Sequence, residues 1–150
     1  MCIRDRYQHN ALRCLFLFKY LGAFFYLNQY LKEVLEVEYR GQTHNEMFTL
    51  AIKNRKNANF RYLSVVYLLT ADKHLWSICK IAVSENSVDF SHIRNTGLSS
   101  DAYTILMTAK DIYHDDGHIT IADLANKQIV SAKMFSVICN ALAICRYGIN

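Results

Sequence analysis

Within five residues, His114-Asp115-Asp116-Gly117-His118, the chain sets two imidazoles and two carboxylates side by side. Such a group could hold a divalent cation if a loop folded its side chains toward one point. The metal candidates are therefore His114, Asp115, Asp116 and His118. No second His or Asp cluster stands at a matching position, and His74 and His92 are isolated. The spacing fits no zinc or two-metal pattern. The plainer reading is a polar helix end, with His114 at the negative end of the helix dipole and Asp115-Asp116-Gly117 turning the chain.

A second grouping is basic. Lys53, Arg55, Lys56 and Arg61 alternate with Asn residues and with Phe60 and Tyr62, and no acid lies between Glu46 and Asp72. Lys and Arg neutralise phosphates and aromatic rings stack on bases, so this stretch could contact nucleic acid, although a solvated loop between helices has the same composition. Catalytic patterns are missing from the sequence: it contains no Gly-rich phosphate loop, no GxSxG elbow and no HExxH, and its Cys and His residues lack nucleophile–base spacing. The chain reads as non-enzymatic, with no cofactor.

Chemistry aside, 150 residues suit one domain with a real core. Half the residues are apolar and a fifth charged, the average for a globular protein, and a net charge of +4 is too small to imply a polyanionic partner. The sequence has no proline and five glycines, which removes the usual punctuation of β-rich chains and favours helices. Cys14, Cys79, Cys139 and Cys145 form no CxxC pair and sit in apolar runs, the setting of buried thiols in a reducing cytoplasm.

The N-terminus needs separate treatment. Met1-Cys2-Ile3-Arg4-Asp5-Arg6 is what the transposase mosaic-end adapter ATG TGT ATA AGA GAC AG encodes, so these residues read as translated sequencing adapter and the natural start as missing. Without Arg4, Arg6 and Asp5 the charge is +3. Residues 7–40 then read as an apolar helix or as translated upstream sequence. The run from Cys14 to Leu27 is cut by Lys19, too short for the roughly 20 apolar residues of a membrane span.

From Gly41 onward the helix signals are orderly. Thr43 with Glu46 predicts a capping box and a helix from about His44 to Lys53. Asn59 caps a helix over 60–71 that is apolar nearly all round, and Asp72 caps the next, with Leu75, Trp76, Cys79, Ala82 and Val83 inward. Residues 84–97 lack helical periodicity and read as a loop in which Val88-Asp89-Phe90 could form a β-bridge. Ser99 or Ser100 starts a helix over 101–113 stopped by Gly117, Thr120 with Asp123 boxes a short helix over 121–126, and Ser131 caps the last, over 132–146, closed by Gly148. The expectation is an all-α fold, a single-domain orthogonal bundle of about six short helices over 41–150 with a minor β-bridge.

Thr120-Ile121-Ala122-Asp123-Leu124-Ala125, followed by Ser131 and by Phe135-Ser136-Val137-Ile138-Cys139-Asn140, resembles the helix-turn-helix of bacterial transcription regulators over about 21 residues. The resemblance implies a second helix in the major groove, its base-facing places held by Ala132, Lys133 and Val137. Only Lys133 could hydrogen-bond a base, and Ile129 stands where the motif has its turn glycine. The last helix also looks apolar on almost every side, which predicts an interior helix. A second pattern spans residues 60–148: Tyr67-Leu68-Leu69-Thr70-Ala71-Asp72, Leu75-Trp76, Ser99-Ser100, Ala102, Leu106, Ala109, Asp111, Tyr113 and Ala141 to Ile144 with Arg146-Tyr147. It is similar to small Firmicutes proteins of unassigned activity, and implies a compact helical protein with no site residues to transfer. The sequence thus predicts a bacterial cytoplasmic accessory protein that works through a protein partner. The alternative is a DNA-binding regulator contacting nucleic acid through Lys53, Arg55, Lys56, Arg61, Lys127 and Lys133, and a metal-binding role comes third.

Overall fold

The computed structural model describes residues 37–55 and 58–149. The readings of Met1 to Arg6 as adapter and of residues 7–36 as an apolar helix or upstream sequence lie outside these residues, as do Cys14 and Lys56. The compact unit runs from Val37 to Ile149, so Val37 to Arg40 belong with the helices that follow them.

Among the described residues six α-helices form: α1 (Gln42–Ile52), α2 (Phe60–Thr70), α3 (Lys73–Cys79), α4 (Ser100–His114), α5 (Ile121–Ala125) and α6 (Ala132–Tyr147). Two 3₁₀ turns, Lys80–Ala82 and Phe90–His92, and one antiparallel bridge, Val83 to Val88, complete the chain. The fold is an all-α bundle. Its centre is α2, which packs most extensively on α6 and α4 and also on α1 and α3.

The composition of α2 dictates that place. Every residue from Tyr62 to Thr70 is buried, and Val65 and Val66 are weak helix formers whose burial outweighs their local preference. Its polar groups are all engaged. Ser64 Oγ donates to the Ala141 carbonyl of α6 at 2.5 Å, an approach that two small residues permit. Thr70 Oγ1 donates to the Val66 carbonyl at 2.8 Å, and the Tyr62 hydroxyl to the Ser84 carbonyl at 2.8 Å. No buried side-chain nitrogen or oxygen among the described residues lacks a partner, as a stable interior requires.

Most helix boundaries follow the caps. Asn59, Asp72, Ser99, Thr120 and Ser131 each accept the amide three residues on, and Asp123 returns the bond to Thr120 in a complete capping box. Two expectations are corrected. Thr43 and Glu46 form no box: α1 begins at Gln42 behind Gly41, and Glu46 accepts instead from the Gln42 side chain at 2.9 Å. Helix α4 is ended by Asp115 in the left-handed conformation (φ 62°), two residues before Gly117. Gly148 does close α6, at φ 81°, where a Cβ would stand 2.7 Å from the Phe60 ring.

Candidate functional site

Helix α6 departs furthest from its expected place. It is not an interior helix. Met134, Val137, Ile138, Ala141 and Ile144 are buried, while Phe135 and Leu142 are each 46% exposed and Cys139 lies open between them. The spacing 135, 139, 142, 146 puts Phe135, Cys139, Leu142 and Arg146 in one row along the outer face. An apolar stripe therefore faces solvent. Its sequence, AKMFSVICNALAICRY, contains no acid. Of its two cations, Arg146 ends the row, and Lys133 sits roughly 160° around the helix from Phe135.

The helix-turn-helix segment has its caps in place. Thr120 and Asp123 box the start of α5, and Ser131 Oγ accepts the Met134 amide at 3.3 Å. The turn is built without glycine: the Asn126 carbonyl accepts the amides of Ile129 and Val130, and its side chain accepts that of Gln128. Val130 anchors it in the core. Helix α5 has five residues, none of them buried, and it stands outside the main helix–helix packing. Of the base-facing positions, Ala132 and Lys133 are exposed but Val137 is only 4% exposed, so that place is filled by a core residue.

Two of the basic residues are engaged within the protein. Arg55 donates to the Ser84 carbonyl at 2.6 Å and lies over the Tyr62 ring at 5.1 Å, closing the loop between the two 3₁₀ turns onto α2. Arg61 pairs with Asp115 at 3.3 Å and reaches the Tyr113 carbonyl. Both are tied to protein groups. Lys53, Lys127 and Lys133 are exposed and enter no salt bridge among the described residues.

At the polar run after α4 the organiser is Asp111. Its carboxylate accepts the backbone amides of His118 at 2.8 Å and Ile119 at 2.7 Å, and contacts His118 Nδ1 at 2.6 Å. Partial burial raises its pKa, but these three bonds more than offset that and hold it below the usual carboxylate value. His114 instead packs edge-on against Tyr113 and Phe90. Among the described residues no three His, Cys, Asp or Glu side chains gather as a metal site would need. Cys79 is sealed in the core, where burial pushes its thiol up to about 12.

Sequence reasoning missed one buried polar residue, His44. It lies on the inner face of α1 one turn before Phe48, a spacing that marks it as inward. Beside it Arg40, Gln42, Met47, Asp72 and Lys73 line an open cleft of about 340 Å³. There Arg40 donates to the Ala71 carbonyl at 3.2 Å and approaches Asp72 at 3.8 Å, so the charges of the cleft face each other. No helix among the described residues is long and apolar enough to cross a membrane. Compared with known proteins, the chain matches no family model, no curated protein and no solved structure.

Proposed function

We propose that the protein is a non-enzymatic bacterial accessory protein of the cytoplasm that docks a protein partner on the outer face of α6. The observation that carries this reading is the row Phe135, Cys139, Leu142 and Arg146, facing solvent on a helix whose other side is fixed in the core. Aromatic and Arg side chains on a rigid apolar surface are the usual anchors of protein interfaces. With Arg146 at the end of the row and no acid on the helix, the partner's rim would be acidic.

A DNA-binding reading is favoured by a different observation, the exposure of Ala132, Lys133 and Ser136 at the N-terminal end of α6 and of Lys127 in the turn before it. The two readings separate in one series. A benzophenone amino acid incorporated in place of Cys139 should give a discrete protein adduct in bacterial cells, lost in Phe135→Glu/Leu142→Glu and not given by the same residue in place of Ser91. Equal adducts from both positions would remove the docking face. Affinity for duplex DNA that falls steeply with salt and disappears in Lys127→Ala/Lys133→Ala would select the regulator instead.

A further inference from the structure

The segment Val37 to Gly41 runs up to α1 as a strap, and its bonds to the bundle meet around one imidazole. The Tyr67 hydroxyl donates to the Glu38 carbonyl, which also accepts from Asn140 of α6 at 3.3 Å. Arg40 reaches the Ala71 carbonyl through its guanidinium. Its backbone amide donates to His44 Nδ1 at 3.0 Å, and His44 Nε2 lies 2.9 Å from the Tyr67 carbonyl. A carbonyl can only accept, so Nε2 carries the hydrogen; an amide can only donate, so Nδ1 carries none. The geometry therefore fixes one neutral tautomer.

We propose that His44 is a pH-operated clasp: a proton arriving at Nδ1 expels the Arg40 amide and frees the strap Val37–Gly41 from α1 and α2. Protonation turns Nδ1 from acceptor to donor, leaving two N–H groups opposed across a 3.0 Å contact. The ring cannot turn aside easily, because it is 3% exposed and packed against Tyr39 and Tyr67 at centroid distances of 5.4 and 4.6 Å.

The charges around it do not rescue the cation. On the strap, Arg40 opposes it, Tyr39 is neutral and the Glu38 side chain is exposed; from α1 comes Glu46, exposed and held by Gln42; from α2, Tyr67, whose hydroxyl burial keeps protonated; from the α2–α3 corner, Asp72 and Lys73, the former already facing Arg40; from α6, only the neutral Asn140. Burial lowers the His44 pKa most; the bond to the Tyr67 carbonyl works the other way, and Arg40 adds to the lowering. The folded value is thus depressed. Closure of the strap is fully favoured above the unfolded value of about 6.5 and is lost as pH falls through the lower folded value.

The test is amide hydrogen exchange at about pH 7 and about pH 5, corrected for intrinsic rates. Protection of the Arg40 amide should fall on the order of tenfold or more across that interval, while Ile138 and Ala141 of α6 stay protected. In His44→Gln the dependence of Arg40 on pH should vanish. An unchanged Arg40 amide, an equal loss throughout α6, or the same fall in His44→Gln would overturn the clasp. Should His44→Gln fail to fold, ¹³C and ¹⁵N shifts of the wild-type ring decide: protonation coinciding with loss of the Arg40 amide supports it, and protonation with that amide still protected overturns it.

Discussion

Asp111 and Asp115 are four residues apart at the end of α4, and their environments set different weights on them. Asp111 accepts two backbone amides and touches the His118 ring, whereas the Asp115 side chain is 78% exposed and, among the described residues, meets only Arg61. Asp111→Ala should lower stability in urea by about 1–3 kcal/mol, as removal of charge-assisted bonds to backbone does. Asp115→Ala should cost less than about 1 kcal/mol, since an exposed pair is screened. Equal losses would contradict the assignment. Because the folded pKa of Asp111 is depressed, its contribution is complete above the unfolded value of about 3.9 and fades as pH falls through the lower folded value. An acid titration of Asp111→Asn should lack that part of the slope. The sequence drew attention to His114, Asp115, Asp116 and His118 because their types are metal-capable. Asp111 and His44 were not singled out as organising polar residues because their partners are largely backbone groups, which leave no residue-type signal.

At the scale of elements, the two faces of α6 should respond differently to the same truncation. Ile138→Ala, in the core, should cost about 2–5 kcal/mol, and Leu142→Ala, on the exposed stripe, no more than about 0.5 kcal/mol, both read by thermal or urea unfolding. A large loss at Leu142 would place the stripe inside. At the ends of the helix, Ser131→Ala should cost about 1 kcal/mol through its lost cap. Gly148→Ala should cost about 1–2 kcal/mol, because φ 81° penalises a Cβ that would also push on Phe60. The caps at Asn59, Asp72, Ser99, Thr120 and Ser131 were legible because capping side chains act within three residues. The exposure of Phe135 and Leu142 was not. Apolar content alone made both α2 and α6 look central, and only the neighbours each helix finds decide which one is enclosed.

For the whole molecule, absence of proline, few glycines and regular caps were sufficient to read an all-α bundle; Val88, where alternation pointed to a bridge, does form one, but its partner Val83 lies past the end of α3 and not on the helix where it was expected. The proposed docking face was less legible, because such a surface is defined by what the rest of the fold leaves uncovered. That face contains a built-in reporter. Cys139 lies in the stripe, Cys145 is half-buried and Cys79 is sealed in the core. Maleimide labelling read by mass spectrometry therefore tests whether the α6 stripe is open and then covered by a partner, comparing the isolated protein with the protein in bacterial cells. Rapid labelling of Cys139 and none of Cys79 is expected in the isolated protein, with protection of Cys139 in cells that is lost in Phe135→Glu/Leu142→Glu. Cys139 protected in the isolated protein, or equally reactive in both settings, would contradict the proposed docking face.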